Sequence, residues 1–118
     1  MSYLIETEVL VLGSGIAGGT AALMLADAGL SVTVVTRAGE LNESNTFYAQ
    51  GGIIFRGEKD SPDLLEEDII RAGGGYCNPE AVKILCAEGP DLVADFLGDK
   101  LGVDFDRGSD GKWLKPLS

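Results

Sequence analysis

Two short stretches hold the residue types that can do chemistry. The first, Gly13-Ser14-Gly15-Ile16-Ala17-Gly18, follows directly on the apolar run Val9-Leu10-Val11-Leu12. At this spacing Gly13 permits a tight turn and Gly15 lets backbone approach a pyrophosphate. Gly18 lets the next helix pack closely on the strand. A helix opening here offers unpaired N–H groups and a partial positive charge to an anion. The second stretch, Ser44-Asn45-Thr46-Phe47-Tyr48-Ala49-Gln50-Gly51-Gly52, follows the apolar run Val32-Thr33-Val34-Val35. The two lie roughly thirty residues apart, the length of one βαβ unit.

The intervening sequence supplies that unit. Glu8–Leu12 reads as a short strand buried on both faces, as parallel strands are. A helix runs from Gly15 or Ile16 to Ala28, with Ala22, Leu23, Leu25 and Ala26 able to face a sheet and Gly29 as its stop. Ser31–Thr36 is β-branched and reads as a second parallel strand. The βαβ unit therefore spans 8–36 and gives the G-x-G-x-x-G run its required context. The expected fold class is α/β: a Rossmann-like dinucleotide-binding βαβ unit with additional helices.

Beyond it, Ala38–Gly52 reads as a long polar connection, a type that is usually functional when ordered. Ile53-Ile54-Phe55 reads as a short strand, so the loop segment is 42–55. Ser61 and Pro62 open a helix with a Leu65, Ile69, Ala72 stripe, ended by Gly73-Gly74-Gly75. Asn78-Pro79-Glu80 opens another. Gly89-Pro90 is expected to break it, and Asp91–Lys100 to restart with Leu92, Val93, Phe96 and Leu97, closed by Gly102. The helical segment is thus 61–101. Val103-Asp104-Phe105 and Lys112-Trp113-Leu114 read as two short strands, within 103–114, joined through Ser109-Asp110-Gly111.

The chain has 118 residues and a formal net charge of -10. That charge argues against nucleic acid or an anionic membrane as partner. No signal peptide and no apolar run of spanning length is visible, so a cytoplasmic setting is expected. Cys77 and Cys86 are too far apart for a C-x-x-C motif and are expected to fill space on helices. No metal-ligand pattern appears. A complete doubly wound sheet needs two mononucleotide-binding halves, and one is visible. An incomplete domain is therefore expected, with 1–118 as its N-terminal part and the remainder absent.

The end of the second strand carries Thr36-Arg37 where an acid usually meets the adenosine ribose. Arg37 can meet a 2′-phosphate, which means NADP, or the adenosine part of FAD. Ser44–Gly52 breaks the tie. Thr46, Tyr48 and Gln50 can hydrogen-bond a polar heterocycle, Gly51-Gly52 leaves room for a flat ring, and Phe47 and Tyr48 add apolar area. A flavin needs such a surface.

On these residues the chain resembles the L-aspartate oxidase family, within the flavoprotein group of succinate dehydrogenase and fumarate reductase. The run Asn45–Ile53 behind Gly13–Gly19 carries the likeness. Asp68–Gly73, Asn78–Val82 and Gly102–Phe105 extend it. The wider group shares the Ala49-Gln50-Gly51-Gly52 core. Respiratory members usually carry a flavin-linked histidine where this chain has Asn45, and the chain has no histidine.

The resemblance therefore implies non-covalent FAD. It places FAD contacts at Ser14, Gly15, Ile16 and Ala17, within the Gly13–Gly18 turn, at Arg37, and at Asn45, Thr46, Phe47, Tyr48, Ala49, Gln50, Gly51 and Gly52. It implies oxidation of L-aspartate to iminoaspartate, with oxygen or fumarate as electron acceptor. Quinolinate synthase then consumes the product in NAD biosynthesis. The alternatives are a soluble fumarate reductase-like flavoprotein and a stand-alone NADP-binding module. No catalytic residue is assigned: Arg56, Arg71 and Arg107 read as surface charges, and Glu6 and Glu8 as solvated strand flanks.

Overall fold

The computed structural model describes residues 3–49, 52, 53, 55 and 60–113. The chain divides into two compact units, Met1–Gly51 and Gly52–Ser118.

The first unit is built on two strands, β1 (Val9–Leu12) and β2 (Val32–Val35), paired in parallel with Val9 opposite Val32 and Leu12 opposite Val35. Helix α1 (Ile16–Asp27) connects them, so the expected strand, helix, strand order is present. The ladder extends past both ends. Glu8 and Val9 N–H groups both donate to Ser31 O at 3.1 Å, and Gly13 N–H donates to Val35 O at 2.8 Å. Glu8 is more than a solvated flank: its carboxylate accepts the Ser31 N–H at 2.7 Å. It supplies an acceptor where the strand has not yet begun.

α1 rests on the strands through half-buried Gly18, Ala22 and Leu25, while Leu23 and Ala26, expected to face the sheet, are exposed. The small residues near its start set the contact and turn Leu23 outward. A single helical turn, α2 (Asn45–Tyr48), interrupts the connection that reads as loop in the sequence. Ser44 caps it, its hydroxyl accepting the Phe47 N–H at 3.3 Å.

The second unit holds α3 (Pro62–Ala72) and α4 (Pro79–Asp91). Both starts follow their sequence signals. Ser61 Oγ accepts the Leu64 N–H at 3.2 Å, and Asn78 Oδ1 accepts those of Glu80 and Ala81 at 3.1 and 3.3 Å. Each cap satisfies N–H groups that the helix itself cannot pair. Leu65, Val82 and Cys86 form the core, with Ile69, Ile70 and Cys77 against it. Ala72 lies outside the stripe and is exposed.

Pro90 does not break α4. It lies inside the helix, buried, and the chain continues without interruption as a π-helical segment, Leu92–Lys100. Proline removes one N–H and crowds the carbonyl four residues back. The wider i→i+5 winding that follows absorbs that distortion. The same continuation turns Leu92 outward and Val93 inward.

Ile53 and Phe55 are not in a strand, nor are residues 103–105. The expected pair of strands shrinks to one antiparallel bridge, Arg107 with Trp113. A tight turn closes it, with Gly111 N–H on Gly108 O at 3.0 Å. Side-chain packing replaces strand pairing there: Phe105 and Phe55 meet the Trp113 ring edge-on at centroid distances of 5.3 and 6.4 Å. Ile54 and Leu114 lie outside the described residues.

Cys86 fills a helix position and is 1% exposed, whereas Cys77 lies in the turn between α3 and α4 rather than on a helix. Burial, and then the carboxylates of Glu66 and Asp60, push the Cys86 thiol above its ordinary range. The folded state thus keeps this proton when the unfolded chain has begun to lose it. The associated stability is fully present below the ordinary thiol range, around pH 8.5, and is lost as pH rises through the raised folded value. Alkaline urea titrations should show the unfolding midpoint falling above that pH, with a shallower fall in Cys86→Ala. Native-state alkylation mapped by mass spectrometry should modify Cys77 well before Cys86.

Candidate functional site

An open groove of about 880 Å³ lies in the first unit, at the carboxyl ends of β1 and β2. Ligands of parallel α/β folds bind at this end of the strands. Three segments line it. Leu12 to Gly15 come from the turn after β1, Val35 to Ala38 from the end of β2, and Glu43 to Thr46 with Tyr48 from the start of α2.

The turn after β1 depends on its glycines. Gly13 has φ +109°, a conformation open to glycine and costly for other residues. A Cβ on Gly18 would collide with the Gly13 carbonyl oxygen and stand 3.3 Å from Val11 Cγ1. The helix therefore crosses the strand end at backbone contact distance. α1 has no acidic residue in its first turn, and its N-cap, Gly15, has no side chain to satisfy the first N–H groups. An anion meets no competing carboxylate there, and the helix dipole favours it.

One of those N–H groups has a partner from thirty residues away. Ile16 N–H donates to Thr46 Oγ1 at 3.0 Å. The second motif is thereby tied directly to the first. Phe47 and Tyr48 then stand edge-on to one another at 5.2 Å between ring centroids.

Of the residues expected from sequence, the groove brings together Gly13, Ser14, Gly15, Arg37, Asn45, Thr46 and Tyr48. Ile16 joins them through its bond to Thr46. Ala17, Gly18, Phe47, Ala49 and Gly52 are not among the lining residues. Gln50 and Gly51 lie outside the described residues. Glu43, which belongs to neither motif, also lines the groove; its carboxylate can accept hydrogen bonds from hydroxyls such as those of a ribose. Nothing in its local sequence marks it, because only the course of the connection brings it there.

The donor set suits a dinucleotide. A glycine turn at backbone distance, the α1 entrance and the Arg37 guanidinium all favour phosphate oxygens. The Ser14 hydroxyl is buried and has no hydrogen-bond partner among the described residues. Such a group costs about 1–3 kcal/mol until an acceptor reaches it, and a diphosphate is acceptor-only. FAD fits these residues.

The class of the chain follows. Residues 8–117 match the family described as FAD binding domain, and the chain belongs to that family; its cofactor is FAD. Its relatives are more particular. It is 49% identical over 100 residues to an L-aspartate oxidase of Halobacterium salinarum, covering 85% of this chain and 19% of that protein. It is 43% identical over 110 residues to an L-aspartate oxidase of Streptomyces coelicolor, covering 92% of this chain and 18% of that one. The chloroplastic L-aspartate oxidase 2-a of Nicotiana tabacum is 44% identical over 103 residues, which cover 86% of this chain and 15% of it. The chain thus spans under a fifth of the length of these relatives.

Gly18 and Gly19 separate packing from helix propensity. A Cβ on Gly19 meets nothing within 4 Å. Gly19→Ala should leave FAD affinity unchanged and raise stability by about 0.5–1 kcal/mol. Gly18→Ala should cost about 1–3 kcal/mol through overpacking and weaken FAD binding at least about tenfold, roughly 1.4 kcal/mol. Flavin fluorescence titration and thermal melts of the two variants measure both effects.

Proposed function

We propose that this chain is the N-terminal, FAD-holding part of an L-aspartate oxidase. The observation that carries the reading is the hydrogen bond between Thr46 and Ile16. It sets the motif suited to a flavin ring beside the turn suited to a diphosphate. The names of the relatives, at 49% and 43% identity, supply the substrate.

In this reading the full-length protein has a Rossmann-like FAD domain and a separate capping domain, and works in the cytoplasm. No helix among the described residues is long and apolar enough to cross a membrane. The start of α1, with Ser14 and Gly15, holds the diphosphate; Arg37 and Glu43 meet the adenosine side. The Asn45–Gly52 motif supplies the residues that meet the ring, with Asn45, Thr46 and Tyr48 lining the groove. FAD is held without a covalent bond, since the position before Thr46 is Asn45 and the chain has no histidine.

When bound, FAD supplies the two-electron acceptor that oxidation of an amine to an imine requires. L-Aspartate gives up two electrons and two protons as its Cα–H bond and one N–H bond break, and becomes iminoaspartate, with oxygen or fumarate as the final acceptor of both. Quinolinate synthase takes the product onward. This chain's part is to hold and orient: it anchors an anionic group by backbone N–H donors and offers the ring a partly apolar surface. The groups that bind the two carboxylates of the substrate belong to later segments of the full-length protein.

The purified full-length protein should carry flavin absorbance that L-aspartate bleaches anaerobically and succinate does not. Bleaching by succinate alone would overturn the substrate assignment. The isolated 118-residue chain should form no peroxide with L-aspartate; measurable aspartate-dependent peroxide would contradict the division of labour.

A further inference from the structure

We infer that Thr46 is a positioning residue that fastens the ring-side loop to the diphosphate-side helix before FAD arrives. Each partner lacks what the other provides. α1 opens on Gly15, which has no side chain for a cap. α2 is one turn of four residues, far too short to hold itself, because the first turn of a helix is its costly step. The Thr46 hydroxyl caps α1 by accepting the Ile16 N–H at 3.0 Å, and the same bond anchors α2. Ser44 closes the turn from its other side, accepting the Phe47 N–H at 3.3 Å.

Room for the clasp comes from Gly15. A Cβ there would stand 3.4 Å from Thr46 Oγ1, at the near edge of ordinary contact, so a side chain reaching beyond Cβ on that side would press on the hydroxyl. The bare Cα at this position thus admits Thr46 as well as a ligand. A hydroxyl that accepts one hydrogen bond still has its own O–H to donate. Thr46 therefore hands the donor capacity of the helix entrance outward to the groove, where a cofactor oxygen can take it.

A loop fixed in its binding geometry loses less entropy when ligand arrives, so pre-assembly raises affinity without adding a contact. It also predicts where the effect appears: in the cofactor-free state and in the association rate. A threonine serving only as a ligand contact would act through dissociation alone. The inference rests on FAD binding and is independent of which substrate is oxidised.

The test uses the full-length protein stripped of FAD, as wild type, Thr46→Val and Thr46→Ser. Valine keeps the shape and loses the hydroxyl; serine keeps the hydroxyl. Amide hydrogen exchange at Ile16 is read without cofactor, and FAD association and dissociation are read by flavin fluorescence. Protection of Ile16 in wild type and Thr46→Ser, its loss in Thr46→Val, and a two- to tenfold weaker FAD affinity in Thr46→Val through slower association are expected. Unprotected Ile16 in wild-type apoprotein overturns the inference. So does wild-type association in Thr46→Val, including the case where only dissociation quickens. If Thr46→Val fails to fold, the wild-type and Thr46→Ser exchange data still decide.

Discussion

The first unit turns on one close approach: the start of α1 against the end of β1, where Gly18 has no space for a side chain beside the Gly13 carbonyl. Everything at the groove follows from it. A helix held at that distance puts its N-terminal N–H groups just beyond the strand end. The parallel register brings Val35 and Arg37 to the same end. The long connection then returns α2 to the helix entrance, where Thr46 meets Ile16. Lengthening the helix–strand distance by the size of a methyl group would displace all three segments relative to one another.

Net charge and site charge point in opposite directions here. The chain carries -10 overall, yet its groove is arranged for an anion. The two are compatible because screening in physiological salt confines surface charges to about 8 Å, while backbone N–H groups act within hydrogen-bond reach. The absence of an acidic residue in the first turn of α1 is therefore more consequential than the acidity of the whole. Glu43 is the exception among the lining residues, and an acceptor there suits sugar hydroxyls rather than phosphate.

Features written in adjacent residues were legible in the sequence. Ser61-Pro62 and Asn78-Pro79 announce helix starts because an N-cap bonds within three residues of itself. The glycine turn after β1 is local in the same sense. Features set at a distance were not. The Pro90 rule failed because burial and a π-helical continuation outweighed a local penalty. Ile53 and Phe55 resemble strand residues, and Phe55 instead packs against Trp113. The groove was legible at its two motifs. Glu43 and the Thr46 clasp were not, since both arise from how the nine-residue connection between β2 and α2, residues 36–44, runs through space.

The most direct measurement is a crystal structure of the full-length protein with FAD bound. The diphosphate should lie at the opening of α1, within hydrogen-bond distance of its first N–H groups, with the flavin ring against the backbone from Asn45 to Gly52. A diphosphate bound elsewhere, or a ring directed away from those residues, would contradict the account.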